Sequence, residues 1–137
     1  MSELQVEADV KELDKVQDFI REELEKYDVS MKAMYQIELA VEEIYTNISS
    51  YAYNPEVGKA TINCSVAKDP LQVVIQFLDS GKPFDPLSRD EADTSSKALL
   101  ERTGGLGIFL VKKNMDDVEY SYEDGKNVLT ISKTLEE

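Results

Sequence analysis

Two residues of one amphipathic segment carry side chains suited to phosphate chemistry. Glu43 and Asn47 lie four residues apart in the run IELAVEEIYTN, residues 37–47. A helix places residues i and i+4 on one face, one turn apart, so the carboxylate and the amide should project together beside the apolar stripe. An amide oxygen suits Mg²⁺, a hard ion that prefers oxygen ligands. A glutamate at the edge of an apolar stripe can equally be a solvated surface residue.

A glycine-rich turn follows later in the chain. The run TGGLGIFLV, residues 103–111, contains Gly104, Gly105 and Gly107 and continues into an apolar helix. The start of a helix leaves backbone N–H groups free and carries the positive end of the helix dipole, so it favours a phosphate. The alternative is a turn with no ligand.

An acidic turn lies between these two stretches. The run LDSGKPFD, residues 78–85, closes an apolar strand and holds Asp79 and Gly81. Asp-x-Gly after a strand is also a common turn signal without chemistry. The order and spacing of all three stretches together are more specific than any of them alone.

The three stretches resemble the N box and the two glycine boxes of the GHKL (Bergerat-fold) ATP-binding family. Within it, the chain resembles the small bacterial anti-sigma-factor serine kinases, from about Leu4 to Leu135. The resemblance implies that Glu43 is the general base and that Asn47 binds a Mg²⁺ ion bridging the phosphates of ATP. Asp79 would accept a hydrogen bond from the exocyclic amine of adenine, and Gly81 would let the backbone approach the base. Glu42 should face about 100° away from Glu43, and helix geometry with the N-box spacing therefore favours Glu43.

The resemblance also implies further contacts to the nucleotide. Thr130 would support the adenine contact through water, although it can equally be an ordinary strand threonine. Arg102 is a candidate phosphate clamp, and the glycines would hinge a lid over about residues 86–103. The expected nucleotide-binding set is Asn47, Asp79, Gly81, Phe84, Arg102, Gly104, Gly105, Gly107 and Thr130.

Two departures from the family pattern are visible. The first glycine box lacks the second glycine of the Asp-x-Gly-x-Gly form, as in other anti-sigma-kinase-like proteins. Tyr51-Ala52 stands where the sporulation-type members have His-Gly. The first departure indicates a subfamily, and the second leaves open which partner the chain recognises and how fast it would catalyse.

The elements that must position these residues follow from periodicity and turn signals. Asp9 and Ser30 are expected to cap the first two helices. Asp124-Gly125 is a strong hairpin signal. The predicted strands are 4–8, 58–67, 71–78, 118–122 and 128–135, and the predicted helices are 9–27, 30–51 and 107–115. This order predicts one α+β domain over residues 1–137, a two-layer sandwich (the Bergerat fold) with a mostly antiparallel mixed sheet and three helices on one face.

The composition narrows the classes of partner. The chain has 137 residues, with 15 Lys and Arg against 28 Asp and Glu, a formal net charge of −13. That charge argues against nucleic acid or an anionic membrane as a direct partner and favours a basic protein surface. With no histidine and one cysteine, the chain excludes Ser-His-Asp catalysis and an internal disulfide. No signal peptide or membrane-spanning run is recognisable, so a cytoplasmic location is expected.

Three functions are therefore in view. The first is a serine-protein kinase that uses ATP and Mg²⁺ to phosphorylate a STAS-domain anti-anti-sigma protein, and that also sequesters a sigma factor. The resemblance implies a homodimer as well. The second is a non-catalytic, nucleotide-responsive switch that binds proteins. The third is an ATP hydrolase or the catalytic domain of a histidine kinase.

Overall fold

The computed structural model describes residues 2–51, 58–68, 70–83 and 105–135. Within these residues it forms five strands and three α-helices. They are β1 Ser2–Glu7, α1 Leu13–Leu24, α2 Met31–Tyr51, β2 Lys59–Ala67, β3 Gln72–Asp79, α3 Gly105–Asn114, β4 Asp117–Glu123 and β5 Lys126–Thr134. The predicted α+β class and the predicted order of elements are confirmed, with boundaries shifted by at most four residues.

The strands form a single sheet in the order β1-β2-β3-β5-β4, and each of these four pairings is antiparallel. The expectation of a mixed sheet therefore has no counterpart among the described strands. The hairpin between β4 and β5 turns at Asp124 and Gly125, whose φ angles are 53° and 74°. Two consecutive residues with positive φ are typical of the type I′ turn that the Asp-Gly pair predicts.

One face of the sheet and the three helices enclose the core. Along β2, β3 and β5 every second side chain is buried, as in a sheet covered on one face only. α1 contacts β1 and β2, α3 contacts β4, and α2 lies between α1 and α3 in the helical layer. Fully buried side chains from both layers include Ile20, Ile37, Tyr45, Ile75 and Ile131.

The helix starts follow the capping residues. Asp9 Oδ1 accepts a hydrogen bond from the Lys11 amide at 2.9 Å, and Ser30 Oγ accepts one from the Ala33 amide at 3.1 Å. The first helix differs from expectation because a 3₁₀ turn, Val10–Glu12, precedes it and because it ends at Leu24. None of the helices in the described part of the chain is long and apolar enough to cross a membrane.

Candidate functional site

Asp79 lies at one edge of the sheet, at the end of β3. In the strand register it stands opposite Ala60 on β2 and opposite Asn127 on β5. The last residue of β1, Glu7, stands opposite Lys59, beside Ala60. The ends of β1 and β3 and the starts of β2 and β5 therefore share the edge that carries Asp79.

Tyr45 anchors helix α2 to this same edge. Its side chain is fully buried, and its hydroxyl oxygen lies 2.8 Å from the carbonyl oxygens of both Glu7 and Asp9. The hydroxyl also accepts a hydrogen bond from the Asp9 amide at 3.3 Å. Because Tyr45 stands between Glu43 and Asn47, these bonds hold the turn of α2 that carries both residues at the end of β1, which lies at the same end of the sheet as Asp79.

Glu43 and its neighbour Glu42 occupy different environments. Glu43 is half-buried, and its pKa is raised, chiefly by burial and secondly by the charge of Glu42. Glu42 is exposed and lines an open groove between α1 and α2, where Arg21 and Glu38 form an ion pair of 2.7 Å. This difference agrees with the helix geometry that favoured Glu43. Asn47 is half-buried one turn further along α2.

Helix α3 packs beside α2, and the backbone of its first described turn contains Gly105 and Gly107. Val111 and Met115 follow in the buried core. The N–H groups of a first helical turn have no partner within their own helix, as the phosphate prediction requires. The predicted site residues Phe84, Arg102 and Gly104 and the predicted lid over residues 86–103 lie outside the described residues.

Asp79 belongs to a buried hydrogen-bond network. Asp79 and Asn127 are each 6% exposed. Asp79 Oδ1 accepts hydrogen bonds from Asn127 Nδ2 at 2.9 Å and from the Gly81 amide at 3.0 Å. Asn127 Nδ2 also donates to the carbonyl oxygen of Lys82 at 2.8 Å, and the Tyr120 hydroxyl donates to Asn127 Oδ1. The network joins the end of β3, the first glycine box and strands β4 and β5.

Burial and hydrogen bonding act on Asp79 in opposite directions. Burial raises the pKa of the Asp79 carboxyl, and the bonds from Asn127 and Gly81 lower it. The net pKa stays above its ordinary value. Donors aimed at a carboxylate stabilise its ionised form, the form that can only accept hydrogen bonds.

The strand register separates Thr130 from Asp79, contrary to the expectation from the resemblance. Thr130 pairs with Gln76, whose Nε2 lies 3.4 Å from Thr130 Oγ1, whereas Asp79 pairs with Asn127. Side chains alternate between the faces of a strand, so Thr130 projects from the face opposite to Asp79. Asn127, and not Thr130, is therefore the β5 residue beside Asp79, and a water-mediated role for Thr130 stays a prediction.

Sequence reasoning missed Asn127. A signal was present, because Asn127, two residues after the turn glycine, begins an otherwise apolar alternation with Leu129 and Ile131. Recognising its partner required the pairing of β3 with β5, whose residues are 48 positions apart at this point. Local periodicity does not supply such a register.

The donor set around Asn47 fits a magnesium ion that also binds phosphate. Among the described residues there is no cluster of three or more histidine, cysteine or acidic side chains that could cage a metal. Mg²⁺ at nucleotide sites takes one or two protein oxygens and fills its other positions with water and phosphate oxygens. A single half-buried amide oxygen on α2 matches that requirement.

Known proteins are similar to this chain in sequence. The profile of the family described as Histidine kinase-like ATPase domain matches residues 6–133. The chain is 33% identical over 105 residues to the serine-protein kinase RsbW of Listeria monocytogenes serovar 1/2a, covering 73% of this chain and 66% of that protein. It is 31% identical over 97 residues to the serine-protein kinase RsbW of Bacillus cereus, covering 68% of this chain and 59% of that protein. The matched segments thus span about three fifths to two thirds of these relatives.

Solved structures show the same fold. The structure of the RsbU and RsbW domains of Rv1364c from Mycobacterium tuberculosis superposes with a TM-score of 0.69 at 16% identity, over 98% of this chain and 33% of that one. The histidine kinase AdeS of Acinetobacter baumannii superposes with a TM-score of 0.54 at 14% identity, over 100% of this chain and 70% of that one. At such identities the likeness establishes the fold alone.

Proposed function

The chain belongs to the histidine kinase-like ATPase domain family, and on that basis we propose that it is an ATP-dependent serine-protein kinase and anti-sigma factor. Its substrate would be a serine of a STAS-domain anti-anti-sigma protein. The names of the relatives at 31–33% identity support the kinase assignment. The likeness to AdeS carries no weight for a histidine kinase, since it concerns the fold alone.

The observation that carries the proposal is the placement of Glu43. A half-buried carboxylate with a raised pKa lies one helical turn from the amide of Asn47, on a helix that Tyr45 ties to the sheet edge of Asp79. A base works best when its pKa approaches the working pH. Burial of Glu43 moves its pKa in that direction.

Glu43 would act on the proton of the attacking serine. The serine oxygen forms a bond to the γ-phosphorus, the bond from that phosphorus to the β,γ-bridging oxygen breaks, and ADP leaves. The hydroxyl proton passes to the Glu43 carboxylate. Because phosphoryl transfer depends mainly on positioning and charge stabilisation, the backbone N–H groups at the start of α3 would orient the phosphates.

Asn47 would hold the metal ion, and Asp79 would hold the adenine of the nucleotide. Bound Mg²⁺ neutralises charge on the phosphates. The Asn47 amide supplies an oxygen ligand from the helical turn that also carries Glu43. The metal ion and the general base, Glu43, are therefore positioned together. The ionised Asp79 accepts a hydrogen bond from the exocyclic amine of adenine and fixes the other end of the nucleotide.

The partners follow from the same assignment. Phosphorylation of the STAS-domain protein would weaken its hold on the kinase and leave the kinase free to bind a sigma factor. The net charge of −13 favours basic surfaces on the partners. We further propose that the working unit is a homodimer.

The test is phosphate transfer from γ-labelled ATP to STAS-domain proteins of the source organism. Wild type should label a serine of one of them. Glu43→Gln should lower the rate by about 10²–10⁴-fold, the usual contribution of a general base, while ATP still binds. Glu42→Gln is the matched control, because its carboxylate faces the α1–α2 groove, and it should retain the wild-type rate.

Two outcomes would change the assignment. Phosphate transfer by Glu43→Gln at the wild-type rate would show that Glu43 is not the general base. Tight ATP binding with no transfer to any STAS-domain protein would favour the nucleotide-responsive switch over the kinase.

A further inference from the structure

We infer that Asn127 and Tyr120 form a relay that fixes the orientation and the ionised state of Asp79, and that this relay sets the preference of the site for a 6-aminopurine. The inference rests on the proposed nucleotide site and adds two positioning residues to it. It assigns neither residue a direct contact with the nucleotide.

The first step is the donor and acceptor count around Asn127. The carboxylate of Asp79 and the carbonyl oxygen of Lys82 lie 2.9 and 2.8 Å from Asn127 Nδ2, and both are acceptors. Only the amide nitrogen of Asn127 can donate to them, so both of its N–H groups are used. The reverse amide orientation would place Oδ1 against two acceptors in a buried site.

The second step is the role of Tyr120. With Nδ2 directed at Asp79 and Lys82, Asn127 Oδ1 points the other way and needs a donor. The Tyr120 hydroxyl donates to it. Tyr120 therefore stabilises one of the two amide orientations of Asn127, although it does not itself contact Asp79 in the network.

The third step concerns the two oxygens of Asp79. Oδ1 already accepts hydrogen bonds from Asn127 and from the Gly81 amide. These bonds fix the plane of the carboxylate and direct incoming donors toward Oδ2. An ionised carboxylate accepts and cannot donate, so a purine with an amine at C6 fits it and one with a keto oxygen there is repelled.

The fourth step is the protonation state. Burial favours the neutral carboxyl, and a protonated Asp79 would present a donor and lose the preference for an amine. The described groups that face Asp79 are the Asn127 amide and the Gly81 N–H, with the titratable Tyr120 beyond Asn127 and Lys82 joining through its backbone. The relay thus favours the charged, accepting form.

The experiment compares the binding of ATP and inosine triphosphate, with Mg²⁺, to wild type and to two variants. Wild type should prefer ATP. Asn127→Ala should lower the affinity for ATP about tenfold, the usual effect of a lost hydrogen bond to a charged group, and change that for inosine triphosphate much less. Tyr120→Phe keeps the amide and the volume of the ring, and should lower the ATP preference in the same direction by a smaller factor.

The matched control is Tyr122→Phe, a half-exposed tyrosine two residues along the same strand, which should leave the preference unchanged. An equal loss of both nucleotides in Asn127→Ala and Tyr120→Phe would mean structural support only and would overturn the relay, as would an unchanged preference in both. Wild type that binds neither nucleotide would instead overturn the proposed function, and the relay with it.

Discussion

At the scale of single residues, the candidate site contains two carboxylates that are buried or half-buried, Asp79 and Glu43. Burial raises the pKa of both, and among the described residues only Asp79 receives compensating hydrogen bonds from neighbouring donors. A carboxylate that is kept partly desolvated without such donors costs stability. Such a cost in stability is expected for a group whose placement serves catalysis or binding.

The first residue-scale prediction concerns Glu43 and stability. Its pKa is higher in the folded than in the unfolded chain, so the folded chain binds its proton more tightly. The contribution to stability is therefore greatest at low pH and is lost as pH rises from the unfolded to the folded pKa. Glu43→Gln should raise the melting temperature at pH 7 by a few degrees and should give no gain at pH 4.

Differential scanning calorimetry at the two pH values measures this effect. Glu42→Gln, on the exposed side of the helix, should shift the melting temperature by less. A Glu43→Gln protein that is less stable than wild type at pH 7 would show that the carboxylate is a structural residue.

At the scale of secondary-structure elements, one buried hydroxyl links helix α2 to the start of the chain. Tyr45 connects it to the end of β1 and to the residues that precede α1. The spacing of apolar residues predicted this helix. No local signal marks Tyr45 as its link to the sheet, because the hydrogen-bond partners of Tyr45 lie 36 to 38 residues away in the chain.

Tyr45→Phe should therefore destabilise the protein, because it removes the hydroxyl that joins α2 to the end of β1. The change removes the bonds of the Tyr45 hydroxyl to the carbonyl oxygens of Glu7 and Asp9, which keep their bonds from the backbone amides of Asp9 and Glu12. It should cost about 0.5–1.5 kcal/mol in the free energy of unfolding, the usual net contribution of one hydrogen bond. It should also weaken ATP binding, because the turn that carries Glu43 and Asn47 loses its anchor. Tyr35→Phe, on the same helix and 66% exposed, is the control for urea denaturation and for nucleotide titration.

A second prediction at this scale concerns the turn of the β4–β5 hairpin. Gly125 has φ +74°, and a Cβ added there would meet no atom within 4 Å. Gly125→Ala should therefore cost about 1 kcal/mol from backbone strain alone, with no steric contribution. Urea denaturation measures it beside Lys126→Ala, an exposed neighbour that should change little; equal stability of Gly125→Ala and wild type would contradict the strained turn.

The same elements show which parts of the structure can be predicted from the sequence. Spacing of apolar residues and turn residues such as Asp124-Gly125 predicted the strands, the helices and the two-layer class, because these signals are local. The different orientations of Glu43 and Glu42 also followed from a local signal, because adjacent residues of a helix point about 100° apart. The Asn127–Asp79 pair and the position of Thr130 relative to Asp79 depended on strand register, which joins residues far apart in the chain.

At the scale of the whole molecule, charge is the dominant feature. A formal net charge of −13 on 137 residues produces a negative field that attracts basic surfaces. Such a field mainly accelerates association and affects dissociation less.

We expect association with a basic protein partner to depend strongly on salt. Raising ionic strength from about 0.05 to 0.5 M should lower the association rate about tenfold or more, while the dissociation rate changes little, because salt screens the long-range field. Surface plasmon resonance at several salt concentrations measures both rates. A salt-independent association rate would contradict electrostatic steering.

The central claim is that α2 and the sheet edge of Asp79 form one magnesium-dependent nucleotide site. Isothermal titration with ATP and Mg²⁺, wild type beside Asn47→Ala, tests it most directly. The account predicts binding by wild type that requires Mg²⁺ and that is lost or greatly weakened in Asn47→Ala. Absence of binding by wild type, or equal binding by both proteins, would contradict it.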